Sequence, residues 1–313
     1  MREERLPEVG VNQVRVRTLY SGISRGTEAV VFEGRVPETE HETMRAPFQD
    51  GQFPFPVKYG YACVGEIEKG PPERLGETVF CLHPHQDRFV VPAGAAAALP
   101  EGIPARRAIL AANMETAVNG IWDSRPCPGD RITVIGAGVV GSLVAWLAGQ
   151  IPGCRVVLVD VLEERRSVAD ELGVEFAIPE QAPGEQDLVV HASGSDSGLD
   201  LALGLAGQEA TVLEMSWYGD KPVTVGLGQS FHSRRLTLKS SQVGSLPVHR
   251  QARWDHTSRL DLALDLLADP RLDVLVDDSS LFDQLPDNMP RILAGQGLCH
   301  CIEYAGKPAS SGR

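Results

Sequence analysis

Residues 132–160 read "ITVIGAGVVGSLVAWLAGQIPGCRVVLVD". An apolar strand, Ile132–Ile135, runs into Gly136-x-Gly138-x-x-Gly141, which opens an apolar helix over Val139–Ala148. A second strand, "RVVLVD", ends in Asp160, 19 residues past Gly141. A lone glycine pattern has little specificity. Strand, turn, helix and strand in this order make it the signature of a dinucleotide-binding turn. Gly136 permits the tight turn, Gly138 lets the backbone approach a pyrophosphate, and Gly141 lets helix and strand pack closely. The free N–H groups of the first helical turn, at Val139, Val140 and Gly141, favour an anion. Asp160 is placed to accept hydrogen bonds from ribose hydroxyls. Its charge, with Glu163 and Glu164 beyond it, opposes a 2′-phosphate, so NAD is expected. Arg165 and Arg166 keep NADP as the alternative. The competing reading is a glycine-rich turn that holds no nucleotide.

The pattern continues outward. Strands are expected at "DLVVHAS" (187–193), "ATVLEMS" (210–216) and "RLTLKSSQV" (235–243), with a helix near 197–206. Strands alternating with helices imply a doubly wound parallel sheet, a Rossmann-type α/β domain. A helix is also expected over 104–124. Upstream, "QVRVRTLY" (13–20), "CVGEIE" (63–68), "ETVFCL" (77–82) and "DRFVVP" (87–92) alternate at period two and predict short strands. Residues 34–56 form a polar excursion of the kind that covers a site. The tail holds one helix, 257–269, and a closing strand, 298–304. The chain thus divides into a β-rich domain at 1–114, a dinucleotide-binding domain at 115–243, and a return to the first domain at 244–313.

The net charge of −13 over 313 residues argues against nucleic acid or an anionic membrane as a partner. No stretch approaches a membrane span, and the charged start "MREERLPEVG" lacks an apolar signal core. A soluble cytoplasmic protein acting on a small molecule is expected. The six cysteines are scattered without a Cys-x-x-Cys pair and read as reduced and buried. Residues 299–301, "CHC", offer a weak metal clip as the alternative, and "SRR" (233–235) a solvated or phosphate-facing edge.

A strand-rich first part, an inserted dinucleotide domain and a short returning tail resemble the medium-chain dehydrogenase/reductase superfamily over nearly the whole chain. The match begins close to Met1, where many relatives carry an extra strand. The resemblance implies a GroES-like catalytic domain, a Rossmann domain, nicotinamide lying in a cleft, and often a homodimer. Zinc-dependent members carry a Cys loop, a Gly-His-Glu motif and a third ligand. Here the corresponding residues are Ser24-Arg25-Gly26-Thr27-Glu28, Gly60-Tyr61-Ala62, and Glu115 in "NMETAVNG". One plausible ligand of three remains, and the loop of four structural cysteines is missing, so no metal site and no zinc are expected. "SGISRGTE" and "GYACVG" most resemble bacteriochlorophyllide-type hydroxyethyl dehydrogenases.

On that mapping Tyr61 stands where a metal ligand would, with strand-end packing as the rival role. Thr27 matches a relay hydroxyl, or caps a turn. Glu28 is expected to bond loop backbone. Glu115 is expected to pair with Arg25, with proton transfer or helix capping as the other roles. His83 and His85 fall where relatives line the substrate pocket. Ser193 and Gly194, in "HASGS", match a strand end that contacts the cofactor ribose, and "MSWYG" (215–219) one near the nicotinamide. The expected activity is hydride transfer between nicotinamide and a carbonyl or secondary alcohol, with Tyr61, Thr27, His85 and Glu115 as the catalytic candidates. A quinone or enoyl reductase and a non-catalytic dinucleotide-binding redox sensor are the alternatives.

Overall fold

The computed structural model describes residues 1–305. They form two compact units, Met1–Ala112 together with the residues from Leu264 onward, and Asn113–Ala263. The second boundary therefore falls inside a helix at 263/264 rather than at 243/244, and the first falls at 112/113 rather than 114/115.

In chain order, the first part holds β1 (Gln13–Ile23), α1 (Arg25–Phe32), β2 (Asp50–Gly51), β3 (Val57–Lys58), β4 (Cys63–Lys69), β5 (Thr78–Cys81), β6 (Arg88–Pro92), β7 (Ala97–Ala98) and α2 (Ala105–Ala108). Helix α3 (Ala111–Ser124) leads to β8 (Arg131–Ile135), α4 (Val139–Gly149), β9 (Arg155–Val159), α5 (Arg166–Leu172), β10 (Glu175–Ala177), β11 (Gln186–His191), α6 (Asp196–Leu205), β12 (Ala206–Glu214), α7 (Ser230–Ser233) and β13 (Thr237–Ser240). The tail adds α8 (His256–Leu266), β14 (Asp278–Leu281), α9 (Leu285–Ala294) and β15 (His300–Glu303).

In the first unit β1 is the hub. Its alternation buries Val14, Val16 and Thr18, and it pairs antiparallel with β4, β6 and β15. Its inward residues join Cys63, Ile67, Val79, Cys81, Phe89 and Val91 in one apolar core. The tail is fastened twice. Strand β15 lies against β1 with Tyr20 opposite Glu303. Arg107, buried, holds Asp273 through two 2.7 Å hydrogen bonds and donates to the carbonyls of Leu267 and Ala268.

The structure departs from the sequence-based elements in three places. The helix expected over 104–124 is split into α2 and α3, with the fully buried Ile109 and Leu110 at the break. The tail helix stops at Leu266, three residues early, because Arg107 takes the Leu267 and Ala268 carbonyls and Pro270 cannot continue a helix. Strand β14 and helix α9 had no clear signal: "DSSL" is polar and mostly exposed.

The second unit is a six-stranded sheet in the order β10-β9-β8-β11-β12-β13, every pair parallel. The order reverses between β8 and β11, and the glycine turn lies at the carboxyl end of β8. That is where ligands bind in doubly wound sheets. Each glycine has a distinct steric reason. Gly136 adopts φ +104°, and a Cβ there would stand 2.8 Å from the Ser193 backbone. A Cβ on Gly141 would stand 1.9 Å from the Gly136 carbonyl oxygen. A Cβ on Gly138 would meet no atom within 4 Å.

These contacts predict opposite phenotypes. Gly141→Ala should lower unfolding stability by about 1–3 kcal/mol through overpacking. Gly138→Ala should fold nearly as the parent does but weaken dinucleotide binding. Urea unfolding and an NADH titration on both variants test the pair.

Candidate active site and dinucleotide turn

Four elements of the first unit bring polar side chains together. The start of α1 supplies Thr27 and Glu28, β1 supplies Ser21, the approach to β4 supplies Tyr61, and Tyr304 follows β15. Glu28 is buried. Its Oε1 accepts the Ser24 backbone N–H at 2.8 Å, and its Oε2 lies 3.0 Å from His85 Nε2. His85 Nδ1 lies 2.8 Å from Ser21 Oγ, which lies 2.9 Å from the Tyr304 hydroxyl. A continuous polar chain thus runs Glu28–His85–Ser21–Tyr304. Gly60 makes room for it: at φ +118°, a Cβ there would stand 2.9 Å from the His85 ring.

The Tyr61 hydroxyl has the Ser24 and Thr27 side chains near it and Glu28 as its charged neighbour. Burial and then the Glu28 carboxylate push its pKa up to about 12, against the favourable bonds from Ser24 and Thr27. The phenol is therefore neutral and protonated across the physiological range. Its ring packs edge-on to Tyr59 at 6.0 Å.

Of the catalytic candidates, Tyr61, Thr27 and His85 meet around Glu28. Glu115 lies in the second unit, where its Oε1 accepts from Arg259 Nε at 3.1 Å; Arg259 also donates to Asn119 Oδ1 at 2.7 Å. Glu115 and Arg259 are both buried. This corrects the expected Glu115–Arg25 pair: Arg25 donates instead to the Gly297 carbonyl. His83 is likewise a packing residue, buried and stacked on Phe89 with ring centroids 3.8 Å apart. Burial lowers its pKa to about 4.

In the second unit Asp160 turns its carboxylate onto the glycine turn. Oδ2 accepts the Ala137 N–H at 2.7 Å and Oδ1 the Leu162 N–H at 2.9 Å. Gly138 stands at the start of α4 with no side chain capping the helix. The first-turn N–H groups, including those of Val139, Val140 and Gly141, have no partner within their helix, and the space beside Gly138 is open. These residues fit a pyrophosphate. Arg166 is occupied, lying over the Phe176 ring at 4.9 Å and 3.7 Å from Glu163.

Beyond Gly136, a fully buried His191 places Nδ1 2.7 Å from Glu214 Oε2 and Nε2 2.7 Å from Ser193 Oγ. Ser193 Oγ also lies 2.8 Å from Ser195 Oγ, and the Gly194 N–H donates to Ser216 Oγ at 3.1 Å. Sequence reasoning singled out Ser193 and Gly194 but not the His191–Glu214 pair beside Ser193. The period-two alternation of 187–193 was its only trace.

All six cysteines are free thiols. Among the described residues no three His, Cys, Asp or Glu side chains cluster as a metal site. The "SRR" stretch is a surface edge, where Arg234 pairs with Glu185 and Arg235 with Glu209.

No family model matches the chain. Among curated proteins it is 22% identical over 310 residues to D-guloside 3-dehydrogenase of Escherichia coli K12, covering 88% of each chain. Over most of its length the chain is thus similar to curated dehydrogenases, among them proteins described as zinc-type alcohol dehydrogenase-like. Solved dehydrogenase structures share the fold. The alcohol dehydrogenase RspB of E. coli CFT073, complexed with NADH, superimposes with a TM-score of 0.73 at 19% identity, covering 96% of this chain and 94% of that one. TarJ of Staphylococcus aureus, in complex with NADPH, gives 0.72 at 15% identity, covering 96% and 94%. As neighbours hold either nicotinamide cofactor, the likeness leaves the choice between them open.

Two measurements test the assigned contacts. Glu115→Gln leaves Arg259 buried without its counter-charge and should cost about 3 kcal/mol of unfolding stability, read by urea denaturation. Burial opposes ionisation of Glu214, but its bonds with His191 and Ser216 outweigh it and hold the carboxyl below its ordinary 4.5. A lowered folded-state pKa adds stability above the unfolded value, and that stability is lost as pH falls through the folded one. Melting temperature should therefore fall with pH below about 4.5, and Glu214→Gln should flatten that acid limb.

Proposed function

We propose that this NAD(P)-dependent oxidoreductase moves a hydride between nicotinamide and a carbonyl or secondary alcohol carbon without zinc, with Tyr61 as the proton donor. The observation that carries the proposal is the convergence of the Tyr61, Ser24 and Thr27 hydroxyls beside a buried Glu28. In the resemblance to zinc enzymes, Ser24 and Tyr61 stand where metal ligands would. The space is filled by hydroxyls that can hold and move a proton.

Nicotinamide, when bound, supplies or accepts the hydride. Gly136, Gly138, Val139, Val140 and Gly141 would hold the pyrophosphate, and Asp160 the adenosine ribose. Ser193 and Gly194 would contact the second ribose, with Ser193 oriented by His191. In the reducing direction Tyr61 Oη gives its proton to the substrate oxygen as charge develops there. Thr27 and Ser24 stabilise the tyrosinate by donating to it, and Thr27 passes a replacement proton. Glu28 and His85 form the buried acid–base reserve behind them, with Ser21 and Tyr304 extending it. General acid catalysis of this kind is worth about 10²–10⁴-fold. Glu115 has a supporting role: its charge is spent on Arg259. Asp160 favours NAD, because a 2′-phosphate would face a fixed carboxylate.

Tyr61→Phe removes only the hydroxyl. It should lower kcat on the order of 10²-fold with NADH affinity and melting temperature nearly intact, and Thr27→Val should act the same way but less. NADH turnover over a panel of aldehydes, ketones, quinones and enones supplies the assay. Full turnover by Tyr61→Phe would return Tyr61 to a packing role. NADH binding without any turnover would favour a sensor. Fluorescence titration should give tighter NADH than NADPH binding, with the preference reduced in Asp160→Ala. Elemental analysis of protein never exposed to an affinity-tag metal should find no stoichiometric zinc.

A further inference from the structure

The segment after β13 folds into consecutive turns. The Arg250 N–H donates to the Pro247 carbonyl at 2.8 Å, and the N–H groups of Arg253 and Trp254 both donate to the Arg250 carbonyl at 3.0 Å. The turns surround a cavity of about 450 Å³ lined by His249, Arg250, Ala252, Arg253, Trp254 and Ser258. No carboxylate lines it. Trp122 packs against Trp254 with ring centroids 4.9 Å apart, and the Arg250 guanidinium lies over the Trp122 ring at 5.0 Å. That stacking fixes the guanidinium plane and leaves its edge free for hydrogen bonds.

The charge balance of the cavity is unusual for this chain. The protein carries −13 overall, and most of its arginines are in ion pairs. Among the described residues, neither Arg250 nor Arg253, nor Arg125 nearby, is within ion-pair distance of a carboxylate. The Arg250 Nε is buried with no hydrogen-bond partner, an arrangement that costs free energy unless something else accepts from it. Desolvation, followed by the charges of Arg125, Arg250 and Lys239, holds the His249 imidazole below its usual pKa. Lys239 itself is neutralised by Asp123 at 3.1 Å.

The cavity is separate from the dinucleotide turn. Asp123 holds Ser241 at 2.8 Å, just past the carboxyl end of β13. In the sheet order β13 is three strands from β8 and four from β9, which ends at Asp160. At about 4.8 Å per strand that puts β13 roughly 19 Å from the strand that ends at Asp160.

We infer that this cavity is a binding site for the phosphate or carboxylate group of a small molecule, with Arg250 and Arg253 as its ligands and the Trp122–Trp254 pair as its apolar wall. Paired arginines suit a planar or tetrahedral oxyanion through parallel N–H donors. The inference does not depend on Tyr61 or on the direction of the redox reaction.

The test is isothermal titration calorimetry of the full chain, with and without saturating NADH, using inorganic phosphate, ribose 5-phosphate, gluconate and ribose. Saturable binding of a phosphate probe, of gluconate or of both is expected, retained under saturating NADH, with no response to ribose. A phosphate-only response assigns a phosphate ester, and a gluconate-only response a carboxylate. Arg253 is exposed and makes no ion pair, so Arg253→Gln should fold normally and weaken the anion about 10-fold or more, with NADH affinity unchanged. Arg250→Gln combined with Arg253→Gln should abolish it. The inference is overturned if no anion binds saturably, if NADH displaces the anion, or if Arg253→Gln and the double variant bind it as the wild type does.

Discussion

The second unit depends on an atom that is not there. With no Cβ at Gly141, the Gly136 carbonyl oxygen can occupy a point 1.9 Å from where that carbon would stand, and α4 can lie directly against the end of β8. The close approach aims the first-turn N–H groups at the open space beside Gly138. It also sets the turn next to Ser193, whose backbone excludes a side chain at Gly136. A larger residue at either position would lift the helix and scatter the donors. The dinucleotide turn is thus a packing problem before it is a binding site.

The first unit answers a different problem, that of housing ionisable groups in an apolar core. Glu28 is buried yet bonded at both oxygens, one to the Ser24 backbone and one to His85. Being satisfied, it can remain close to Tyr61, where its charge and the local burial keep the phenol protonated. The same two effects make Tyr61 a poor tyrosinate, and in the proposed reaction the Ser24 and Thr27 hydroxyls beside it serve the proton transfer. Arg107 fastens the returning tail that brings in Tyr304, joining Asp273 to the segment after β7. The Tyr304 end of the polar chain exists only because that tail comes back.

Much of the fold was legible because its signals are local. The period-two stretches of β1, β4 and β6, the glycine turn, and the strands of the parallel sheet all declare themselves within a dozen residues. Elements whose identity rests on distant partners were not legible. The helix over 104–124 is interrupted at Ile109 and Leu110, which its apolar spacing did not signal. Strand β14 is polar in sequence and becomes a strand by pairing with β15.

For the site, the sequence by itself determined the glycine turn and the carboxylate at Asp160, and it put Ser24, Tyr61 and Ala62 where the resemblance would have metal ligands. Each of these is set by residue type at short spacing, where steric fit or ligand chemistry leaves little choice. Only the tertiary structure decided which side chains share a hydrogen bond. It gave Glu115 to Arg259 rather than Arg25, buried His83 against Phe89, and set His191 behind Ser193. It also joined Ser21 to Tyr304 across 283 positions of chain. Those pairings follow from how strands register and helices pack, and a hydrogen bond, which needs its partners within about 3 Å, can be assigned only after that packing has brought remote residues together.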